Sequence, residues 1–418
     1  MIKYSSFVLE NGLRVIVHQD KTTPMVAVNV LYDVGAKDEH PGKTGFAHLF
    51  EHLMFGGSVN IPSYDNPLQK AGGENNAFTN NDFTNYYLSI PLQNIETAFW
   101  LESDRMLDLA FSTKSLDVQR NVVIEEFRQR YLNQPYGDFW LLMRPHAYKK
   151  HPYQWSTIGK DISHIENATM QDVKAFYEKF YHPHNAILSV VGNITEKEVR
   201  ELCCKWFAPI KKGIKYQRTI PQEPVQTKKR MLHVERDVPF DMICMAYHMC
   251  ARVDKDFYAT DLLSDVLSGG NSSRLYNRLV KEKQLFSELD AYITGDIDKG
   301  LFVFSGKLMQ GVDMEQAEAA IKTEIDIIRQ KKISERELKK VTNYVESSVE
   351  FSNISILNRA VKLAVSELLG DIELVNTEAQ KYRRVTSEEI QNVANKILIE
   401  DNCSMMYYNA AGTQKNKK

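Results

Sequence analysis

The chain has 418 residues, enough for two domains of ordinary size. Hydrophobic residues make up 43% and charged residues 25%, the balance of a folded globular protein and not of a disordered or collagen-like one. Lys plus Arg number 52 against 54 Asp plus Glu, a formal charge of −2 with no long run of one sign, so neither nucleic acid nor an anionic membrane is expected as a partner.

In chain order, FVLENGLRVIVH (7–18) carries two β-rich runs around Asn11-Gly12, a hairpin signal. AVNVLYDVG (27–35) reads as a further strand. A loop with Pro41, Gly42 and Gly45 leads into GFAHLFEHLMFGG, whose apolar spacing is helical, with Gly56-Gly57 as its closing signal. Strand patterns return at NAFTNNDFTNYYLSIP and helical ones at IETAFWLESDRMLDLAF and SLDVQRNVVIEEFRQRY. The stretch from Pro209 to Arg230 is rich in Pro and Lys and lacks apolar periodicity, so it reads as an interdomain linker. The expected division is a first domain over 1–212, a linker over 213–228 and a second domain over 229–418.

The halves look like divergent copies. ATMQDVKAFYEKFYHPHNAILSVVG and VTSEEIQNVANKILIEDNCSMMYYN share a Thr-x-x-Asp/Glu helix start, an amphipathic helix, a turn and a strand. FEHLMFGG corresponds to LSDVLSGG, which lacks the imidazole and glutamate groups. One site of that type per chain is therefore the expected maximum.

The five cysteines (Cys203, Cys204, Cys244, Cys250, Cys403) are odd in number and form no CxxC pair, against a disulfide framework and a thiolate zinc site. The N-terminus has no continuous apolar core of a signal peptide, and no later stretch approaches the roughly 18 apolar residues that span a bilayer. A cytoplasmic protein is expected, or a periplasmic one if a leader has been removed. KNKK at the C-terminus reads as a solvated tail.

HLFEH (48–52) places two histidines four apart, on one face of a helix, so that His48 and His52 can aim at one point. Two imidazoles so placed suit a divalent ion, and Glu51, beside that direction, is placed to act as a base on water. The same three side chains can also form a plain hydrogen-bond cluster. Hydrolytic zinc usually takes three protein ligands and leaves a fourth position open. The third is sought in QRNVVIEEFRQR: Val122, Val123, Ile124 and Phe127 define an apolar side, Glu126 stacks over Val122 and Val123, and Glu125 points the opposite way. Glu126 is the expected ligand.

HxxEH is the inverted zinc motif of the inverzincins. With HPGKTGFAHLFEHLMFGG, NNAFTNNDFTNYY, RNVVIEE and HPYQWSTIG, the chain resembles the pitrilysin-like metallopeptidases from about residue 7 to its last strand. That resemblance implies an α+β chain of two homologous domains, each a mostly antiparallel sheet packed with helices, forming half of a clamshell. It implies one Zn2+ per chain on His48, His52 and Glu126, Glu51 as catalytic base, and a zinc-dependent endopeptidase acting on peptides or unfolded segments. Asn76, Ala77, Phe78 and Thr79 match the family's edge strand, along which an extended substrate pairs. Gln119 stands where the family usually has a supporting glutamate, and remains able to orient a ligand by hydrogen bonding.

A second departure concerns the arginine and tyrosine, seven apart, that the family supplies from its C-terminal half. Val280 and Ser287 occupy those positions, and the nearby Arg274 and Tyr276 are only two apart. The resemblance then implies a heterodimer in which a paralogous subunit contributes the pair, a homodimer being the alternative assembly. A non-catalytic structural subunit of the same fold is the rival reading. The remaining histidines, among them His40, His146, His151, His182, His184 and His248, have no partner at ligand spacing and read as structural.

Overall fold

Asn11-Gly12 turns the chain between β1 (Ser5–Val8) and β2 (Arg14–Gln19), and Gly12 adopts the left-handed φ of +88° that the turn requires. The computed structural model describes residues 1–411; the KNKK tail lies outside the described residues. β3 (Met25–Tyr32), β4 (Glu74–Thr79), β5 (Thr84–Pro91) and β6 (Ala186–Gly192) complete a six-stranded sheet in the order β1-β2-β6-β3-β5-β4. A second sheet holds β7 (Arg230–Arg236), β8 (Met242–His248), β9 (Phe286–Ile293), β10 (Leu301–Leu308) and β11 (Cys403–Ala410) in the order β7-β11-β8-β10-β9. The chain is α+β.

The two sheets repeat one topology. β2 to β6 and β7 to β11 occupy matching places, and in each sheet the first and last of the five pair in parallel while the other named pairs are antiparallel. The last strand follows the same kind of helix in both. Thr169 and Asp172 close a capping box on helix Met170–Phe180, and Thr386 and Glu389 do so on helix Ser387–Ile397. The local signals of a duplication thus correspond to equivalent places in two sheets.

The two compact units do not follow the contiguous division expected from the sequence. One comprises 1–132, 151–221 and 350–377; the other comprises 133–150, 222–349 and 378–418. The reason lies in what each sheet needs to cover it. In the first unit every residue of β6 is buried, and helix Ile356–Leu368 lies on β3 and β6. Its buried residues are small or aliphatic (Ala360, Leu363, Ala364, Ser366), and the Ser189 hydroxyl of β6 donates to the Ala360 carbonyl. In the second unit helix Phe139–Ala147 lies on β11, β7 and β8, burying Phe139, Met143 and Ala147. A stretch of each half therefore packs with the sheet of the other half.

The stretch read as a linker is tied down at its start. Arg218 donates to the carboxylates of Asp33 and Asp38, which assigns residues up to Pro221 to the first unit. The first unit also buries an ion pair. Arg105, 1% exposed on helix Ile95–Leu107, pairs with Glu102 and lies 4.3 Å from the Tyr86 ring of β5. All five cysteines are free. Among the described residues no helix is long and apolar enough to cross a membrane.

In the second unit, helix Phe257–Ser268 is the counterpart of the HLFEH segment, and Asp261 and Asp265 stand where His48 and His52 stand in the first. Asp261 accepts from the Tyr382 hydroxyl. Burial, and then the Asp261 charge, push the Asp265 carboxyl up from 3.8 to about 7, against the pull of Lys340. The unfolded chain releases this proton near 3.8 and the folded chain near 7. Between those values the folded state holds more protons, so this group's contribution to stability falls as pH rises and is fully unfavourable above 7. Asp265→Asn is expected to raise the thermal midpoint over the parent by an amount that grows from pH 5 to pH 8; a gain independent of pH would contradict this linkage.

Candidate metal centre

Helix Phe46–Leu53 begins after Gly45, whose φ of +89° and close approach to the Ile158 carbonyl, 2.7 Å from an added Cβ, require glycine. Glycine has no side chain with which to cap the helix. Glu39 supplies the cap from outside: Gly45 N–H donates to its Oε2 at 2.9 Å and Ala47 N–H to its Oε1 at 2.8 Å. Burial pushes this carboxyl up to about 8, with the two backbone donors pulling the other way. The core-facing side of the helix is aromatic, Phe50 stacking on Phe176 at 4.9 Å and on Tyr181 at 5.1 Å. The Tyr86 hydroxyl donates to the Phe50 carbonyl at 3.4 Å, near the end of the helix at Leu53.

With Phe46, Leu49, Phe50 and Leu53 turned inward, His48 and His52 share the opposite side. Their rings stand edge to face with centroids 4.9 Å apart. Helix Thr113–Phe127 brings Glu126 to them, with Oε2 lying 3.6 Å from Nε2 of each histidine. Leu116, Val123, Ile124 and Phe127 anchor that helix in the core, whereas Val122 is 45% exposed and does not belong to the apolar side assigned to it from the sequence. Glu125 is exposed and pairs with Arg128.

An N···O separation of 3.6 Å is too long for a hydrogen bond. It does suit two ligands of one ion, because donors held tetrahedrally at about 2.0–2.2 Å from zinc lie roughly 3.3–3.6 Å apart. One donor atom from each of His48, His52 and Glu126 lies within 4.8 Å of the others, and among the described residues no other group of three His, Cys, Asp or Glu side chains does so. Protonation states fit as well. Burial pushes His48 down to about 4, outweighing the Glu126 charge, so its imidazole is neutral at neutral pH. The His52 ring, with His48 and Arg130 behind it, holds the Glu126 carboxyl below its usual range against desolvation. A neutral imidazole and an ionised carboxylate are the forms that ligate. His48 Nδ1 is buried without a hydrogen-bond partner.

Glu51 is turned to β4, the edge strand of the first sheet, where the Thr79 hydroxyl donates to its Oε2 at 2.6 Å. Burial raises its carboxyl, and the Thr79 hydrogen bond and His52 act in the other direction. Asn76, Ala77 and Phe78 lie on the same strand, and the Phe78 ring meets Phe83 at 5.8 Å. Gln119, two turns before Glu126, is half-buried, and among the described residues its side chain makes no hydrogen bond, to Glu126 or to any other group. Val280 packs against the core of the second unit and Ser287 donates to the Lys307 carbonyl. Arg274 is committed to Glu337. Of the remaining histidines, His151 accepts from Tyr153 N–H, while His182 and His248 bond to backbone carbonyls.

Two residues that matter to the site escape sequence reasoning. Glu39 caps from six residues away, outside any local capping pattern, and Arg130, which touches Glu126, sits among other polar residues of an exposed turn.

Residues 14–159 match the model of the insulinase family, peptidase family M16, and residues 167–344 match that of the peptidase M16 inactive domain. The zinc protease PqqE of Helicobacter pylori is 31% identical over 404 residues, covering 94% of this chain and 90% of that protein. The chain belongs to peptidase family M16. The crystal structure of a protease from H. pylori superposes with a TM-score of 0.92 at 29% identity, over 98% of this chain and 100% of that one. Pitrilysin shares the fold, with a TM-score of 0.76 at 17% identity, over 98% of this chain and 45% of its own. In this family member the HxxEH side chains and Glu126 converge within the portion matched by the peptidase model.

Glu39→Ala removes both acceptors at the start of the HLFEH helix. A loss of about 0.5–2 kcal/mol is expected, the usual cost of a deleted cap, read as a lower denaturant midpoint of the metal-free chain. An unchanged midpoint would show that water caps this helix equally well.

Proposed function

We propose that this chain is a zinc-dependent endopeptidase acting on peptides or unfolded polypeptide segments, and the catalytic subunit of a two-chain enzyme. The observation that carries the reading is the placement of Glu126 Oε2 at 3.6 Å from both Nε2 atoms, a separation suited to a shared ion and too long for a hydrogen bond. His48, His52 and Glu126 would hold one zinc. Bound there, zinc acts as a Lewis acid toward the peptide carbonyl and lowers the pKa of water toward roughly 7.

The other steps fall to the chain itself. Glu51 takes a proton from water onto its carboxylate as the water oxygen adds to the carbonyl carbon, and returns that proton to the departing amine nitrogen. Its raised affinity for a proton, caused by burial, suits both halves of that task. Thr79 fixes the carboxylate through its hydroxyl. Among the described residues β4 is an edge strand, on which an extended substrate adds as a further strand at Asn76 to Thr79. Recognition through main chain predicts modest sequence selectivity.

Val280 and Ser287 support the two-chain reading, since Val280 has no donor and the short Ser287 hydroxyl is spent on the Lys307 carbonyl, so neither replaces an arginine or a tyrosine at a substrate backbone. A paralogous subunit bearing that pair is the proposed partner, a second copy of this chain the alternative. The five free cysteines support a cytoplasmic setting. A non-catalytic subunit is the second reading, favoured by the same two residues and by the inactive-domain match over 167–344.

Glu51→Gln is expected to keep zinc at one per chain, by elemental analysis, and to lower turnover of a fluorogenic peptide at least about 100-fold; near-parental turnover would reject Glu51 as the base. In the same assay the chain alone should be weakly active and the mixture with an arginine- and tyrosine-bearing paralogue strongly active, both abolished by chelator. Full activity of the chain alone would reject the split site, and no cleavage in any combination would favour the non-catalytic reading.

A further inference from the structure

The two oxygens of Glu126 have different partners. Oε2 faces the histidine pair, whereas Oε1 accepts from Nη1 of Arg130 at 2.8 Å. Arg130 lies in the π-helical turn Arg128–Leu132 that continues the Glu126 helix, an irregularity frequent at functional sites. Its side chain is 69% exposed, so the ion pair adds little to the stability of the fold. The side chain of Gln119, the residue expected to steady the ligand, makes no hydrogen bond among the described residues. We infer that Arg130 is the positioning residue of the metal centre: it holds Oε1 and thereby presents Oε2 alone to the ion.

This rests on the metal reading and deepens it. A carboxylate on a long, partly exposed side chain has several rotamers to lose on binding an ion, and a charge-assisted hydrogen bond to one oxygen removes some of that freedom beforehand. Holding Oε1 also withdraws it from the ligand set, so that Glu126 does not take up the position that a hydrolytic site keeps open for water. The guanidinium acts in the opposite sense through its bare charge, which repels a divalent cation. The sign of the effect therefore separates the roles: removal of a mere charge tightens zinc binding, and removal of a positioning group weakens it.

The test is zinc affinity of the full-length chain by competition with a chromogenic chelator, alongside melting of the metal-free protein. Arg130→Ala is expected to raise the zinc Kd about 10–100-fold, Arg130→Lys to recover part of that loss through a donor at the same spacing, and Gln119→Ala to change it by less than about twofold. The metal-free Arg130→Ala chain should melt with the parent. Equal or tighter zinc binding by Arg130→Ala overturns the inference, as does a larger cost from Gln119→Ala than from Arg130→Ala, or a matching drop in metal-free melting that marks a purely structural role. A parent chain that binds no zinc overturns the metal reading itself.

Discussion

Two histidines four residues apart on a helix have their Cβ atoms fixed on one face, so the third donor of the first unit must be brought to them. Helix Phe46–Leu53 has only eight residues, too few to be stable alone, and tertiary contacts hold it at several points. Glu39 accepts at its first turn, Phe50 stacks into an aromatic cluster beneath it, and Glu51 meets the edge strand through Thr79. A second helix, anchored by Val123, Ile124 and Phe127, then delivers Glu126. The spacing of the donors is a property of the core, and the polar groups carry it to the surface.

The duplicated topology shows what happens when that demand is lifted. In the second unit the counterpart helix keeps its apolar residues, with Leu262, Leu263, Val266 and Leu267 buried, and carries two aspartates in place of the histidines. Asp261 is satisfied by Tyr382 and Asp265 is left proton-hungry by burial. The fold survives the change because the helix is held by packing, which both copies retain. The chemistry does not, because it depends on which polar groups cap an otherwise similar core.

Features carried by neighbours in sequence are legible from the order of the residues alone. The Asn11-Gly12 hairpin, the two Thr-led capping boxes and the shared face of His48 and His52 depend on spacings of two to four residues, which backbone geometry fixes. Glu126 is reachable because helical periodicity separates it from Glu125, although Val122, counted among its apolar supports, proves to be exposed. Long-range partners are not legible. Nothing local marks Glu39 as the cap of a helix six residues on, or sets Arg130 apart from Arg128 beside it. The same limit explains the domain boundary: a stretch poor in apolar periodicity marks where the chain runs exposed, and cannot reveal which helix covers which sheet.

That exchange of covering helices bears on how such a chain can be divided. A gene fragment ending near Pro221 would encode the first sheet together with His48, His52 and Glu126, yet it would lack Ile356–Leu368, the helix that packs on β3 and β6. Such a half would bare the apolar surface of its own central strands. Cutting at the connecting stretch would therefore part the first sheet from the helix that covers it, and the two pieces would have to reassociate to restore that cover.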